Sequence, residues 1–196
     1  RTIQKGMDAL SAGDTLSIAP GEYHERVRRN KLGREGTDTV IRAEIPGTVV
    51  LRGDMPLDGF KRVPETRMTY VTDIQPGLDV QVVNELDTLT VLENMPNAAE
   101  VAYQPGVFHH DKDAGKLYLS TSDMKPPAEH RYSISVLPAH GLYLSQPKRV
   151  VIEGLTATGF NIAGLIERRD GSMGSTWGIL LYRPKNCVVR NCRAYL

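Results

Sequence analysis

Gly141-Leu-Tyr-Leu-Ser-Gln-Pro-Lys-Arg-Val-Val-Ile-Glu-Gly-Leu-Thr-Ala-Thr158 lies without a gap over Gly178-Ile-Leu-Leu-Tyr-Arg-Pro-Lys-Asn-Cys-Val-Val-Arg-Asn-Cys-Arg-Ala-Tyr195. Gly141/Gly178, Leu144/Leu181, Pro147/Pro184, Lys148/Lys185, Val151/Val188 and Ala157/Ala194 are identical, and most other interior positions stay apolar. Each copy reads as a short strand, a Pro-Lys turn and a second strand. Such a unit cannot bury its apolar face alone, whereas stacked copies bury a continuous core. The offset of 37 residues exceeds the roughly 20–30 of a single coil. The loop from Phe160 to Trp177 would hold the excess.

Working outward, the N-terminus carries the same signals. Ile3, Met7 and Leu10 sit at helix offsets behind Thr2, a natural N-cap. Gly13-Asp14 turns the chain, Thr15-Leu-Ser-Ile-Ala alternates as a strand, and Pro20-Gly21 turns it again. Thr39-Val-Ile-Arg-Ala and Thr48-Val-Val-Leu-Arg follow, separated by Pro46-Gly47 with no helix between them. A short amphipathic helix in front of such strands suits a cap over a stack of coils. Between about Pro56 and Pro138 the pattern changes. Strand-like runs at Met68–Val71, Thr88–Leu92 and Lys116–Ser120 alternate with Pro- and Asn-rich turns. The expected organisation is therefore a cap and first coils over 1–55, a β-rich insertion over 56–138, and further coils over 139–196. The last strand stops at Leu196 uncovered, which leads us to expect more coils or a partner over that end.

The composition is that of an ordinary globular protein, 40% apolar and 24% charged, with a net charge of +1. That balance gives no global field for nucleic acid or a membrane surface. No stretch approaches the ~20 apolar residues of a membrane span. Cys187 and Cys192 are too few for a disulfide framework and read as buried free thiols. Gly171-Ser-Met-Gly-Ser precedes no helix with a phosphate-loop lysine, which argues against a nucleotide site.

Ala12-Gly-Asp-Thr-Leu-Ser-Ile-Ala-Pro-Gly-Glu-Tyr23 resembles the entry motif of pectate-lyase-like β-helix proteins. Thr39-Val-Ile-Arg-Ala with Pro46-Gly-Thr-Val-Val-Leu-Arg-Gly-Asp54 is similar to the next coil of the alginate lyase and chondroitinase B group, and Val151-Ile-Glu-Gly-Leu and Val188-Val-Arg-Asn-Cys resemble the recurring coil. Pro105-Gly-Val-Phe-His-His-Asp with Gly115-Lys-Leu-Tyr-Leu-Ser120 looks like an insertion of β-helix glycosidase-like proteins. The resemblance covers residues 1–55 and 138–196 well and the middle weakly. It implies an all-β chain, a right-handed parallel β-helix with a capping helix and a β-rich insertion. It further implies a secreted, periplasmic or cell-surface carbohydrate-active enzyme, a polysaccharide lyase or glycoside hydrolase, with this chain its N-terminal scaffold. A non-catalytic glycan-binding or surface-attachment protein is the alternative, and the insertion could be a binding module of its own. No catalytic motif of the lyases or hydrolases matches, and in this superfamily catalytic groups usually lie on later coils.

Elimination at a uronate needs a cation, a base and an acid. Hydrolysis needs two carboxyl groups, ~5–5.5 Å apart for retention or ~6.5–9.5 Å for inversion. Glu167-Arg168-Arg169-Asp170 in the long loop, with Trp177 at its far end, is the best local cluster. Its arginines suit carboxylates and Trp177 a sugar ring, or it is a solvated turn with Trp177 as a lid. His140, Glu167 and Asp170 are the candidate acid–base groups. Lys148 and Lys185, one coil apart, form a basic ladder for substrate or two solvated turn lysines. Glu153 and Arg190 align as an exposed ion pair. His109 and His110 are neighbours in a strand and point to opposite faces, against a shared metal. No Asp-rich run has the density of a Ca²⁺ loop, although carboxylates from neighbouring coils could assemble a Ca²⁺ site. No cofactor is identified, and the expected partner is a polysaccharide.

Overall fold

The computed structural model describes residues 2–137, 139–161, 166–167 and 173–195, with only the backbone at 166–167 and 173–174. The chain divides into two compact units, residues 1–53 with 137–195, and residues 54–136.

In the first unit the helix Ile3–Ala9 is capped by Thr2, whose hydroxyl accepts the Lys5 amide at 3.3 Å. The Glu25 carboxylate accepts the Ile3 and Gln4 amides at 2.7 and 3.1 Å. Together they satisfy amides that no helical carbonyl reaches. Ile3, Met7 and Leu10 face down into the core.

Below the helix, strands recur in three parallel sheets. The first sheet stacks Thr15–Ile18, Thr39–Ala43, Val150–Glu153 and Val188–Arg190, and the second stacks Gly21–Tyr23, Val49–Arg52, Leu155–Thr158 and Arg193–Tyr195. The third sheet has Val27–Asn30, Leu142–Ser145 and Ile179–Tyr182. Successive strands therefore move from sheet to sheet, and each sheet is built one coil at a time. Every pairing between the two aligned segments has the 37-residue offset, for example Leu144 with Leu181, Val151 with Val188 and Ala157 with Ala194. Alternation then decides the faces: Ile41, Ile152, Leu51, Ala157, Leu142 and Leu144 point inward and are buried. No helix is long and apolar enough to cross a membrane among the described residues.

In the sequence, two long stretches fall between a strand of the second sheet and a strand of the third. The insertion departs after Gly53 and returns at Leu137, and the Phe160–Trp177 loop lies between Leu155–Thr158 and Ile179–Tyr182. Glycine is required where these chains crowd. A Cβ on Gly141 would meet the Gly178 carbonyl at 2.6 Å and the Phe160 ring at 2.7 Å.

The second unit is largely antiparallel. One sheet runs Thr90–Val91, Val82–Glu85, Tyr132–Ser135, Asp54–Leu57, and the other runs Glu93–Asn94, Val107–Asp111, Lys116–Ser120, Tyr70–Asp73, Lys61–Arg62. Their inner faces share one core around Val83, Phe108, Leu117, Leu119 and Ile134. The run expected at Thr88–Leu92 contracts to Thr90–Val91 because Leu89 adopts a left-handed conformation in the turn. The run at Met68–Val71 shifts to Tyr70–Asp73.

Cys187 and Cys192 are free but only half-buried, a correction to the expected buried thiols. Their coil is an edge of the first and second sheets, so one side alone is covered.

Candidate functional site

The outer face of the third sheet carries a groove. Leu142 and Leu144 point into the core, so Tyr143 and Ser145 point out. In register, Arg28, Tyr143 and Leu180 form one outward row, and Asn30, Ser145 and Tyr182 the next. Gln4 and Asp8 of the helix, with Arg28, Arg29, Asn30, Tyr143 and Ser145, line a cavity of about 650 Å³. Gln4 is fixed there by its bonds to the Arg28 amide at 2.8 Å and to Asp8 at 2.7 Å. Arg29 turns toward the helix end, donating to the Asp8 carbonyl at 3.3 Å. That placement favours the negative end of the helix dipole.

Two exposed aromatic residues lie at the third strand of this sheet, Tyr182 at its end and Trp177 two residues before its start. Trp177 is 53% exposed and Tyr182 is 45% exposed. His140 packs its ring 5.4 Å from Tyr143, and its Nδ1 accepts the Trp177 amide at 3.1 Å. Burial lowers its pKa, so near neutrality it is a neutral acceptor. It thus ties the Trp177 backbone to the Tyr143 ring. Chemically this surface offers ring faces, a guanidinium, amides and hydroxyls, the complement of an extended polar chain with apolar faces. Asp8 is the only carboxylate lining it among the described residues.

Of the residues singled out in the sequence, Trp177 and His140 come together here. Arg168, Arg169, Asp170 and the Glu167 side chain lie outside the described residues. Lys148 and Lys185 bridge in parallel at a different corner, between the third and first sheets, where Lys185 pairs with Glu35 at 2.9 Å. Arg190 and Glu153 pair at 3.0 Å on the outside of the first sheet. His109 and His110 do diverge: His109 Nδ1 meets the Met95 carbonyl at 2.9 Å, while the His110 ring is buried and accepts the Val80 amide at 3.2 Å. No group of three or more His, Cys, Asp or Glu among the described residues is arranged to hold a metal.

Sequence reading missed an electrostatic cluster in the second unit. His130 Nδ1 lies 2.9 Å from Asp87 and Nε2 lies 3.0 Å from Asp123, with Glu85 3.8 Å away. Two carboxylate acceptors require both ring nitrogens to donate, so the ring is an imidazolium. Burial alone would lower its pKa, but the bonds to Asp87 and Asp123 outweigh it and raise it. Glu85 is fully buried, accepting from the Tyr132 hydroxyl at 2.7 Å, the Thr88 hydroxyl at 2.7 Å, and the Ser122 hydroxyl and amide. Burial opposes its ionisation, yet these donors hold it ionised and lower its pKa. Residues scattered over 85–132 carry no spacing signal for such a cluster.

A pH dependence follows. Because His130 is raised in the folded state, its stabilisation is complete below the unfolded histidine value of about 6.5 and is lost as pH rises through the folded value. Asp87, Asp123 and Glu85 are lowered, so theirs is present above about 4 and lost on acidification. Amides of residues 82–85 and 132–135 should therefore be best protected from hydrogen exchange between about pH 4 and 6.5, after correction for intrinsic rates. His130→Gln should abolish the alkaline fall. An alkaline limb that survives in the variant would assign it to another group.

The class defined so far is a stack of parallel coils, capped by a helix and interrupted by an antiparallel unit. Compared with solved structures, the chain is similar to XylC in complex with xylose, with a TM-score of 0.60 and 15% identity over 81% of this chain and 32% of that one. It is also similar to a glycoside hydrolase, with a TM-score of 0.51 and 14% identity over 80% of this chain and 45% of that one. The chain therefore spans less than half the length of either, and at such identity the likeness is one of fold. No model of a protein family and no curated protein matches it.

Proposed function

We propose that this chain is the N-terminal scaffold of a carbohydrate-active enzyme of the glycoside hydrolase type, its coils wound as a right-handed parallel β-helix. A polymeric substrate implies a secreted, periplasmic or cell-surface location. The observation that carries the reading is the third-sheet groove, where Tyr143 stands between Arg28 and Leu180 with Tyr182 in the next row. Parallel coils repeat such a face at a regular strand spacing, which suits a substrate that is itself a repeating chain. The fold likeness to a xylose complex and to a glycoside hydrolase supports a saccharide as that chain. Glu167 and Asp170, which precede Ile179–Tyr182 in the sequence, are the acidic candidates for its chemistry.

Trp177 is the single tryptophan, and its fluorescence is the signal to follow. Titration with neutral xylo-oligosaccharides is expected to quench it, and Tyr143→Ala to weaken binding about tenfold, ~1.4 kcal/mol. Unchanged affinity in that variant would move the site off the third sheet. Asp8, the one carboxylate lining the groove among the described residues, is held by Gln4 and lies 4.0 Å from Arg29. That favours the second reading, a glycan-binding module without chemistry. Reducing-end release without an ultraviolet rise would establish hydrolysis, and release accompanied by the ultraviolet rise of unsaturated uronates would instead establish elimination.

A further inference from the structure

The corner joining the third sheet to the first is crowded with positive charge. Lys31 and Gln146 directly follow the groove residues Asn30 and Ser145, and with Gly33, Arg34, Glu35 and Lys148 they line a cavity of about 340 Å³. Coil stacking forces the cations together. The Lys31 amide donates to the Ser145 carbonyl at 2.8 Å, the Lys148 amide to Leu32 at 2.9 Å, and Lys148 bridges Lys185. Two acids answer them: Asp38 pairs with Arg149 at 2.7 Å and Glu35 with Lys185 at 2.9 Å. Glu35 is held well ionised, first by its bond and charge interaction with Lys185, then by the fields of Lys148 and Arg149. Lys31, Arg34 and Lys148 have no carboxylate within ion-pair distance among the described residues. Like charges on neighbouring strands repel, so folding alone does not favour leaving three of them around one concavity.

We propose that this corner is a subsite for an anionic substituent, a uronate carboxylate or a sulfate ester, on the glycan chain lying along the third sheet. Lys31, Arg34 and Lys148 would contact the anion, and Gln146 would supply an amide. Gly33 lets the two coils close up at this corner: with φ +82°, its missing Cβ is what allows the Lys148 carbonyl to approach. The inference rests on the groove reading and names the substrate class for it.

The test uses the full chain and three xylo-oligosaccharides of equal length: neutral, glucuronate-substituted and sulfated. At low salt, one or both charged probes should bind about tenfold tighter than the neutral one, and the preference should shrink at high salt. Whichever charged probe binds tighter identifies the anion. The triple variant Lys31→Gln, Arg34→Gln, Lys148→Gln should abolish the preference and leave neutral binding unchanged. Should its circular dichroism show misfolding, Lys148→Gln alone should cut the preference severalfold. Equal affinity for all three probes, or a preference that persists in the variants, overturns the anionic subsite and leaves the groove standing. An oligonucleotide of equal charge binding as tightly as the charged sugars would also overturn it. Binding of none of the sugars overturns the groove reading and the subsite with it.

Discussion

Gly33→Ala should unfold the coil stack at a far lower urea concentration than wild type, a loss of about 3–5 kcal/mol. Gly33 has φ +82°, and a Cβ there would lie 2.0 Å from the Lys148 carbonyl oxygen and 3.3 Å from a Val150 methyl. The first of these contacts is with backbone, so no rotamer change relieves it. The Lys148 amide donates to the Leu32 carbonyl at 2.9 Å. Moving the strand aside would break that bond and disturb Val150 and Ile152, both fully buried in the core. Gly36→Ala is the matched control. Its φ is +83°, and a Cβ would meet nothing within 4 Å, so only the left-handed backbone cost of about 1–2 kcal/mol applies. Trp177 lies in the same unit and reports its unfolding. Midpoints that coincide for the two variants would show that the coils shift apart freely, against a close-packed stack.

Glu85→Ala should destabilise the second unit by about 3–5 kcal/mol. The substitution removes one carboxylate and strands the hydroxyl of Tyr132 and the hydroxyl and amide of Ser122, while the exposed Thr88 hydroxyl keeps Thr90 Oγ1 at 3.0 Å. It also removes one of three carboxylates around the His130 imidazolium. An unmet buried donor costs more than a made bond contributes, which is why truncation exceeds the worth of any single contact. Tyr132→Phe, which deletes one donor and leaves the others in place, should cost about 1.5–3 kcal/mol. Hydrogen exchange of amides 82–85 and 132–135 gives both numbers within the full chain. A loss under about 1 kcal/mol for Glu85→Ala would mean that water enters and replaces the network.

The reason some features were legible in the sequence and others were not is physical. Stacking requires each coil to repeat its inward positions, so Leu144/Leu181, Val151/Val188 and Ala157/Ala194 appear as identities at one offset, and that offset is the register. The capping helix was readable because Ile3, Met7 and Leu10 follow a 3.6-residue period behind Thr2. The groove was not. Val27–Asn30 reads Val-Arg-Arg-Asn, a strand with one apolar residue, and it is a strand only because Leu142–Ser145 pairs with it from more than a hundred residues away. Alternation along Leu142–Ser145 could have marked Tyr143 as outward, since it lies between two leucines. It could not have revealed that Arg28 is its neighbour.

By itself the sequence determined the local and periodic features: the helix and its cap, the turns at Pro and Gly, the strand alternation, and the apolar rungs that recur because coils must nest. Tertiary structure alone decided what meets across the chain. It set Arg28 beside Tyr143 and left Lys31, Arg34 and Lys148 around one cavity. It also closed Asp87, Asp123 and Glu85 around His130. Periodicity is written by repeated burial of apolar side chains, which every coil must satisfy in the same way. Polar constellations form once, from residues that no period relates, and only the completed stack brings them together.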